Sequence, residues 1–564
     1  MKTKLNPIVA VAIALMAMIA HASAKGAESQ LPVGSWIVTF NNGVVENCQI
    51  AADGTVKVSE PKRSATGKAT LNNGVVEIAY EDDRLERWSL RDGEMAVEHW
   101  HAVAKKAGKR PAMGVAQKSD EIADLEVHEW GTFTVLQGSN GQVIKWYQAP
   151  NKLVDLPPFV QRTGFFGGKS GTFNLASGLD NVRMETPVLY FYPEKQMDIT
   201  VTAGFPEGRI TEVFPPAAIN RFSTITWRGT LLAPDSPELK KVPVAAEPLG
   251  RHYAAARAVP EAWLFRNKPL PTPFSRTPEP VVKKPTPVYK PHALQQALVE
   301  MALISDKQQA ATAPPKIEPI DHFIFYRGAG NRRHFELTAH QLNSPNTFVL
   351  TNSGQATIPK LFALQVVGGK SSFVSVEQLK TFSSATDESP NQPEIHFPDP
   401  DRSADEVAVE LRAEMIAALH AEGLTKAEAA AMVATWDDLW FIEPGTRVLA
   451  VLPQSIADAM VPLTITPKPK KIERVFVARL ELITRETEAI LTSVLNPVAK
   501  PENIADDAKK FASLQLGRYA AGGMERARTI LSNQVNSRFQ LLEHEWLKQQ
   551  KLQAATAIKK AIAE

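Results

Sequence analysis

A chain of 564 residues with 63 Lys and Arg against 61 Asp and Glu has a formal charge of only +2, so neither a polybasic nucleic-acid surface nor an acidic tail is written into it. Its single cysteine, Cys48, excludes an internal disulfide, and stability has to come from buried apolar surface, of which a chain this long has ample. Length alone corresponds to about three to four domains.

Lys2 and Lys4 precede an apolar run from Pro7 to Ala20, and Ala22-Ser23-Ala24 offers small residues for cleavage. That run, about 14 residues, is short of the roughly 20 a helix needs to cross a bilayer. Residues 1–24 are therefore read as a cleaved signal peptide, the mature chain as periplasmic or secreted, and no integral membrane segment is expected after cleavage. Export also sets nucleic acid aside as a partner. Cys48, between Asn47 and Gln49, lacks the small-residue context of a lipid-modified N-terminus, and a buried, inert thiol is expected.

Over residues 31–104 the dipeptides Asn42-Gly43, Asp53-Gly54, Asn73-Gly74 and Asp92-Gly93 supply the positive φ of tight hairpins. Trp36, Val38 and Phe40 alternate on one strand, and Val76, Ile78 and Tyr80 on another, which predicts a small antiparallel β-domain. The polar stretch 105–121 has no periodicity and reads as a linker. From residue 122 to 400, β-branched and aromatic runs at Val127–Val135, Pro187–Tyr192, Asp198–Ala203, Ile225–Leu232, His322–Arg327 and Thr347–Thr351 predict a larger β-sandwich-like domain. A proline-rich excursion interrupts it at 268–291.

Beyond Pro400 the period becomes helical. Ser403 with Glu406 and Thr425 with Glu428 form two capping boxes, the first opening a helix closed by Gly423 and the second a helix running toward Trp436. This αα-hairpin, followed by strands at Arg447–Leu452 and Arg474–Leu482, occupies 401–500, and 501–564 is read as a helical appendage. The fold class is α+β, with a helical C-terminal part.

No established catalytic motif survives a spacing test. His128-Glu129-Trp130-Gly131-Thr132 begins like a zinc-protease helix but has Thr132 where the second histidine belongs. As a strand it sends His128, Trp130 and Thr132 to one face and Glu129, Gly131 and Phe133 to the other. The clusters ending in Lys169-Ser170 and Lys370-Ser371 lack the upstream glycine of a phosphate loop, Thr163 and Leu364 standing there instead. What remains are single side chains. His128, Glu185, Asp321 and His322 are the catalytic candidates, Glu185 being either a general base with a raised pKa or the end of a solvated turn. The trio His334, Glu336 and His340 has equal parity on an extended chain. Trp130, Trp146, Trp227, Trp263 and Tyr326 suit either a ligand platform or core packing, and Arg327 is the cation chosen for an acidic ligand.

With His128 to Thr134, Met184 to Tyr192, His322 to Gly328 and Trp436 to Pro453 in view, the chain resembles a family of large exported bacterial proteins that carry the same signatures over roughly residues 122–482. The first domain, with Trp88 and Glu98-His99-Trp100, resembles a small β-module attached to some exported proteins. Neither resemblance implies a reaction. The expectation is an exported binding or structural protein for an unknown small molecule or polysaccharide, the alternative being a hydrolase, metal-dependent or not, built from His128, Glu185, Asp321 and His322. Cofactor and metal content stay open. N-terminal sequencing of the exported protein checks the address: the first residue is expected to be Lys25, leaving 540 residues (564 minus 24), and an intact Met1 on protein from the cell interior overturns it.

Overall fold

The computed structural model describes residues 30–60, 63–91, 94–101, 105–106, 111–119, 121–146, 156–157, 159–162, 182–220, 223–241, 251–268, 320–330, 336–344, 346–382, 393–496 and 504–531. The signal peptide, the glycine-lysine cluster at 167–170, the proline-rich stretch 269–291, His334 and the end of the chain from 532 lie outside them. Strands predominate, with most helices toward the C-terminal part, as the α+β reading requires.

Strands β1 (Gly34–Phe40), β2 (Val45–Ile50), β3 (Thr55–Glu60), β4 (Arg63–Asn72), β5 (Val75–Tyr80), β6 (Arg84–Arg91), β7 (Glu94–His101) and β8 (Ala112–Lys118) form a closed antiparallel meander, sealed by β8 pairing with β1. Closure removes the exposed edges that an open sheet of this size would present. Asn73 and Gly74 both take positive φ (51° and 75°) at the β4–β5 hairpin, as its Asn-Gly dipeptide demands. Strand β8 corrects the reading of 105–121 as linker. Its small, polar-ended sequence hides the alternation, and Gly114 is required because a Cβ there would stand 2.8 Å from the Phe40 ring. Inside, Val38, Phe40, Cys48, Ile50, Val58, Ile78 and Val97 pack around an edge-to-face pair, Trp36 and Trp88, at 5.7 Å. Cys48 is buried as expected.

The body is built on one large sheet. Its long strands are β9 (Ile122–Gly138), β10 (Val182–Pro193), β12 (Gly208–Phe214), β15 (Ile324–Gly330), β18 (Ile358–Val367), β19 (Lys370–Leu379), β20 (Gly445–Leu452) and β22 (Lys468–Ile483), in the order β12-β15-β10-β9-β22-β20-β18-β19. A second sheet runs β14 (Leu264–Asn267), β13 (Thr224–Leu232), β11 (Met197–Gly204), β21 (Leu463–Thr466), and a third joins β16 (Leu337–Gln341) to β17 (Thr347–Asn352). Strands from before residue 331 occupy one half of the large sheet and strands from after 357 the other. They meet where β9 runs parallel to β22, the one parallel pairing among the described strands. The boundary drawn at residue 400 therefore does not separate two sheets.

Phe133, Val135, Phe476 and Ala478 on one face of this seam share a core with the second and third sheets. Trp130, Val475 and Val477 on the other face pack under α1 (Arg251–Ala256), α2 (Ala404–Ala421) and α3 (Lys426–Asp437). The Thr425 capping box forms in full, while Ser403 caps α2 without a side-chain bond. A short helix α4 (Gln454–Met460) follows β20, and α5 (Arg485–Leu495), α6 (Ile504–Ser513) and α7 (Ala520–Ile530) enclose Leu136, Ile144 and Trp146. Those last helices are docked rather than appended: Glu488 of α5 accepts from Ser139 N–H (3.0 Å), Ser139 Oγ (2.7 Å) and Arg526 of α7 (2.6 Å).

Strand β10 carries a bulge between Glu185 and Val188, where Pro187 cannot donate to the ladder. The bulge shifts parity by one, so Val182 and Met184 before it and Leu189 and Phe191 after it all face the same core. Gly131 lies beside this bulge, and a Cβ there would stand 2.6 Å from the Phe476 ring and 3.1 Å from Pro187 Cα. Gly131→Ala is expected to destabilise the protein by about 1–3 kcal/mol, read from the midpoint of denaturant unfolding at unchanged slope.

Candidate functional site

Strand β9 divides as its alternation predicts. On the helical face, His128 Nδ1 lies 2.9 Å from Glu428 Oε2, and Glu428 also accepts the Tyr192 hydroxyl (2.6 Å) and the backbone N–H of Thr425 (2.7 Å). Burial raises the Glu428 carboxyl, but the bonds from His128, Tyr192 and Thr425 outweigh it and hold the group below the usual carboxylate range. A carboxylate on Nδ1 fixes the imidazole tautomer, and Nε2 is left buried with no hydrogen-bond partner among the described residues. On the opposite face Glu129 accepts from Arg474 Nε (2.6 Å) and from the Tyr326 hydroxyl (2.9 Å). Glu129 and Arg474 stand opposite one another across the parallel seam. Burial raises the Glu129 carboxyl against the pull of Arg474 and Tyr326.

Glu185 is neither a turn residue nor a base with a raised pKa. It is 4% exposed, at the bulge of β10, accepting from Thr134 Oγ1 (2.6 Å) and from Arg518 Nη1 (2.6 Å). Burial pushes its carboxyl up, and the Arg518 and Arg183 guanidiniums more than reverse that. Asp321 accepts the Tyr253 hydroxyl and the backbone N–H of His322, with Arg257 at 3.3 Å, and burial raises it. His322 Nδ1 donates to the Ala262 carbonyl at 2.6 Å. Each catalytic candidate thus has its own buried partners.

The aromatic platform becomes core. Trp130, Trp146, Trp227 and Tyr326 are buried, Tyr326 against Trp227 at 5.9 Å, and Trp263 packs on the same interior. Arg327 is buried too, with Nη2 3.4 Å from His252 Nδ1, so it is not presented to a ligand from solvent. His340 and Glu336 are exposed, His340 lining an open concavity of about 380 Å3 with Asn140, Thr338 and Val349. Sequence reasoning missed Glu428 as the partner of His128, 300 residues away; it was legible only as the closing residue of a capping box, a task it performs simultaneously. It also missed Arg447 and Arg479, which share Glu481, Arg479 reaching Glu443 at 2.7 Å as well.

Inside the barrel a second polar group assembles. Glu46, Arg84 and Glu86 are inward-facing and buried, and His99 stands opposite Glu86 on β7. Glu86 Oε2 accepts from Trp88 Nε1 (2.8 Å) and the Tyr80 hydroxyl (3.1 Å), and His99 Nδ1 lies 3.1 Å from Glu86 Oε1. Arg84 Nη1 donates to Glu46 Oε1 and to Glu60 Oε1, each at 3.1 Å. Burial, then Glu86, pushes the Glu46 carboxyl up to about 9 against the pull of Arg84. Charged residues at inward parity, Glu46 before Cys48 and Ile50, were the available sequence clue.

Two outcomes follow for the body. Arg474→Met leaves Glu129 buried without its cation and is expected to cost about 3–5 kcal/mol, most of it recovered when Glu129→Met is added, in a double-mutant cycle of chemical denaturation. Burial raises Glu443, but Arg479, then Arg518 and Arg447, hold its carboxyl at about 2. A depressed carboxyl stabilises the fold above its unfolded pKa, near 4.5, and that contribution is lost as pH falls from there toward 2. Glu443→Gln is accordingly expected to flatten the acid limb of the stability curve over that window, by on the order of 3 kcal/mol, in urea unfolding followed by tryptophan fluorescence.

No family model and no curated protein sequence matches the chain. Among solved structures, the Fcho1 Mu homology domain of Danio rerio, in complex with an Eps15 peptide, overlays 65% of this chain and 98% of its own at 7% identity and a TM-score of 0.22, a likeness that bears on neither fold nor function.

Proposed function

We propose that the chain is an exported binding or scaffolding protein of the periplasm or extracellular space, with the sheet body as a rigid, sandwich-like support and the eight-stranded barrel as the ligand-bearing module. The observation that carries this is the fate of the acid–base side chains. In the body, Glu129, Glu185 and Glu428 are each closed off by a cation or imidazole and by hydroxyl donors. In the barrel, buried Glu46 and Glu86 lie beside a single buried arginine, Arg84, which the partly exposed Glu60 and Asp82 share. Barrels of this strand number have room for side chains or one small ligand, which supports a small molecule rather than a polymer as the occupant.

A hydrolase is the second reading, and one observation favours it. His128, oriented through Nδ1 by Glu428 and with no partner at Nε2 among the described residues, has the arrangement of a general base. The mature protein, tested against ester, phosphate, glycoside and peptide substrates, is expected to show no turnover above buffer. His128→Asn is expected to lower the thermal midpoint, because it leaves Glu428 short of its partner. Turnover that His128→Asn abolishes at an unchanged midpoint overturns the binding reading and establishes the hydrolase.

A further inference from the structure

Glu46 on β2, Glu86 on β6 and His99 on β7 each bring one ligand-capable atom within 4.8 Å of the other two. In each carboxylate one oxygen is already held. Arg84 takes Glu46 Oε1, while Trp88 and Tyr80 take Glu86 Oε2. The remaining oxygens are differently placed: Glu86 Oε1 faces His99, and Glu46 Oε2, in a residue 2% exposed, has no hydrogen-bond donor among the described residues. Glu60 brings no cation to Glu46: its charge and a shared hydrogen bond raise the Glu46 carboxyl further.

We propose that the barrel interior binds one divalent first-row transition cation through Glu46, Glu86 and His99, with water completing the shell from the His99 side. Deepening the binding reading above, this site gives the module its ligand. The spacing suits such an ion: with metal–ligand bonds of about 2.0–2.2 Å, neighbouring ligands of a tetrahedral site stand roughly 3.4 Å apart, close to the 3.1 Å between Glu86 Oε1 and His99 Nδ1. Arg84, Trp88 and Tyr80 then serve as outer partners that aim the carboxylates, the arrangement metal sites use to fix their ligands. The imidazole selects against calcium and magnesium, which prefer all-oxygen shells. His99, 16% exposed at its side chain, provides the route from solvent.

The test is equilibrium dialysis of the tag-free mature protein, stripped with chelator, against Zn2+ and separately against Ca2+, followed by metal analysis. One equivalent of zinc is expected, with no saturable calcium uptake. Glu46→Gln and His99→Ala should each weaken zinc binding by more than about tenfold, and His101→Ala, on the exposed end of the same strand, should not. Glu46→Gln replaces the carboxyl with a group of nearly the same shape that ligates poorly, so its circular dichroism and thermal midpoint in chelator report that the barrel is intact. The site is refuted by absent or substoichiometric zinc, or by uptake that persists in both variants. Turnover at His128 would overturn the binding reading while leaving zinc uptake unaffected, so the two failures are distinguishable.

Discussion

The large sheet depends on the seam where β9 and β22 run parallel, for there strands drawn from distant parts of the chain become one structure. A long-range parallel pairing gains nothing from a local turn and has to be fixed in register by its side chains. Glu129 opposite Arg474 does this on one face, since a one-residue slip would leave a carboxylate and a guanidinium buried apart. Phe476 does it on the same face by lying over Gly131 and stacking on Phe133 at 5.0 Å. On this face Glu129, Gly131 and Phe133 are therefore accounted for by the seam: Glu129 meets Arg474, Gly131 leaves room for Phe476, and Phe133 stacks on it.

Buried charge is handled differently in the two parts of the molecule. In the body, carboxylates and guanidiniums come in balanced sets: Glu129 with Arg474, Glu185 with Arg518, and Glu443 and Glu481 with Arg479 and Arg447. Such sets orient strands and helices at a desolvation cost that only complete hydrogen bonding offsets. The barrel places Glu46, Glu60 and Asp82 on Arg84, Asp82 also taking Arg63 at 2.6 Å, with Glu86 relying on neutral donors and His99. Glu46 Oε2 is the one buried carboxylate oxygen left without a hydrogen-bond donor among the described residues, and that sets the barrel apart from the body.

Local physics was legible at most turns and at one of the two capping boxes. Asn42-Gly43, Asp53-Gly54 and Asn73-Gly74 announced hairpins, alternation in β1 and β5 announced their inner faces, and the Thr425 box announced the start of α3, because each is decided within a few residues; Asp92-Gly93 lies outside the described residues. Even the division of His128 from Glu129 followed from strand parity alone. The failed zinc-protease and phosphate-loop spacings were equally firm, since those motifs live within one turn of chain.

What the chain could not announce is whatever two distant segments decide together. Strand β8 was hidden because its reason for existing is β1, some eighty residues earlier. The charge state of Glu185 turned on Arg518, 333 residues away, and the setting of His128 on Glu428, 300 residues away. Sequence alone determined which residues turn, which alternate and which cap, through backbone sterics and short-range hydrogen bonds. Only the tertiary structure decided which charges meet, because a buried ion's pKa and role are set by whichever partner folding brings within about 3 Å of it.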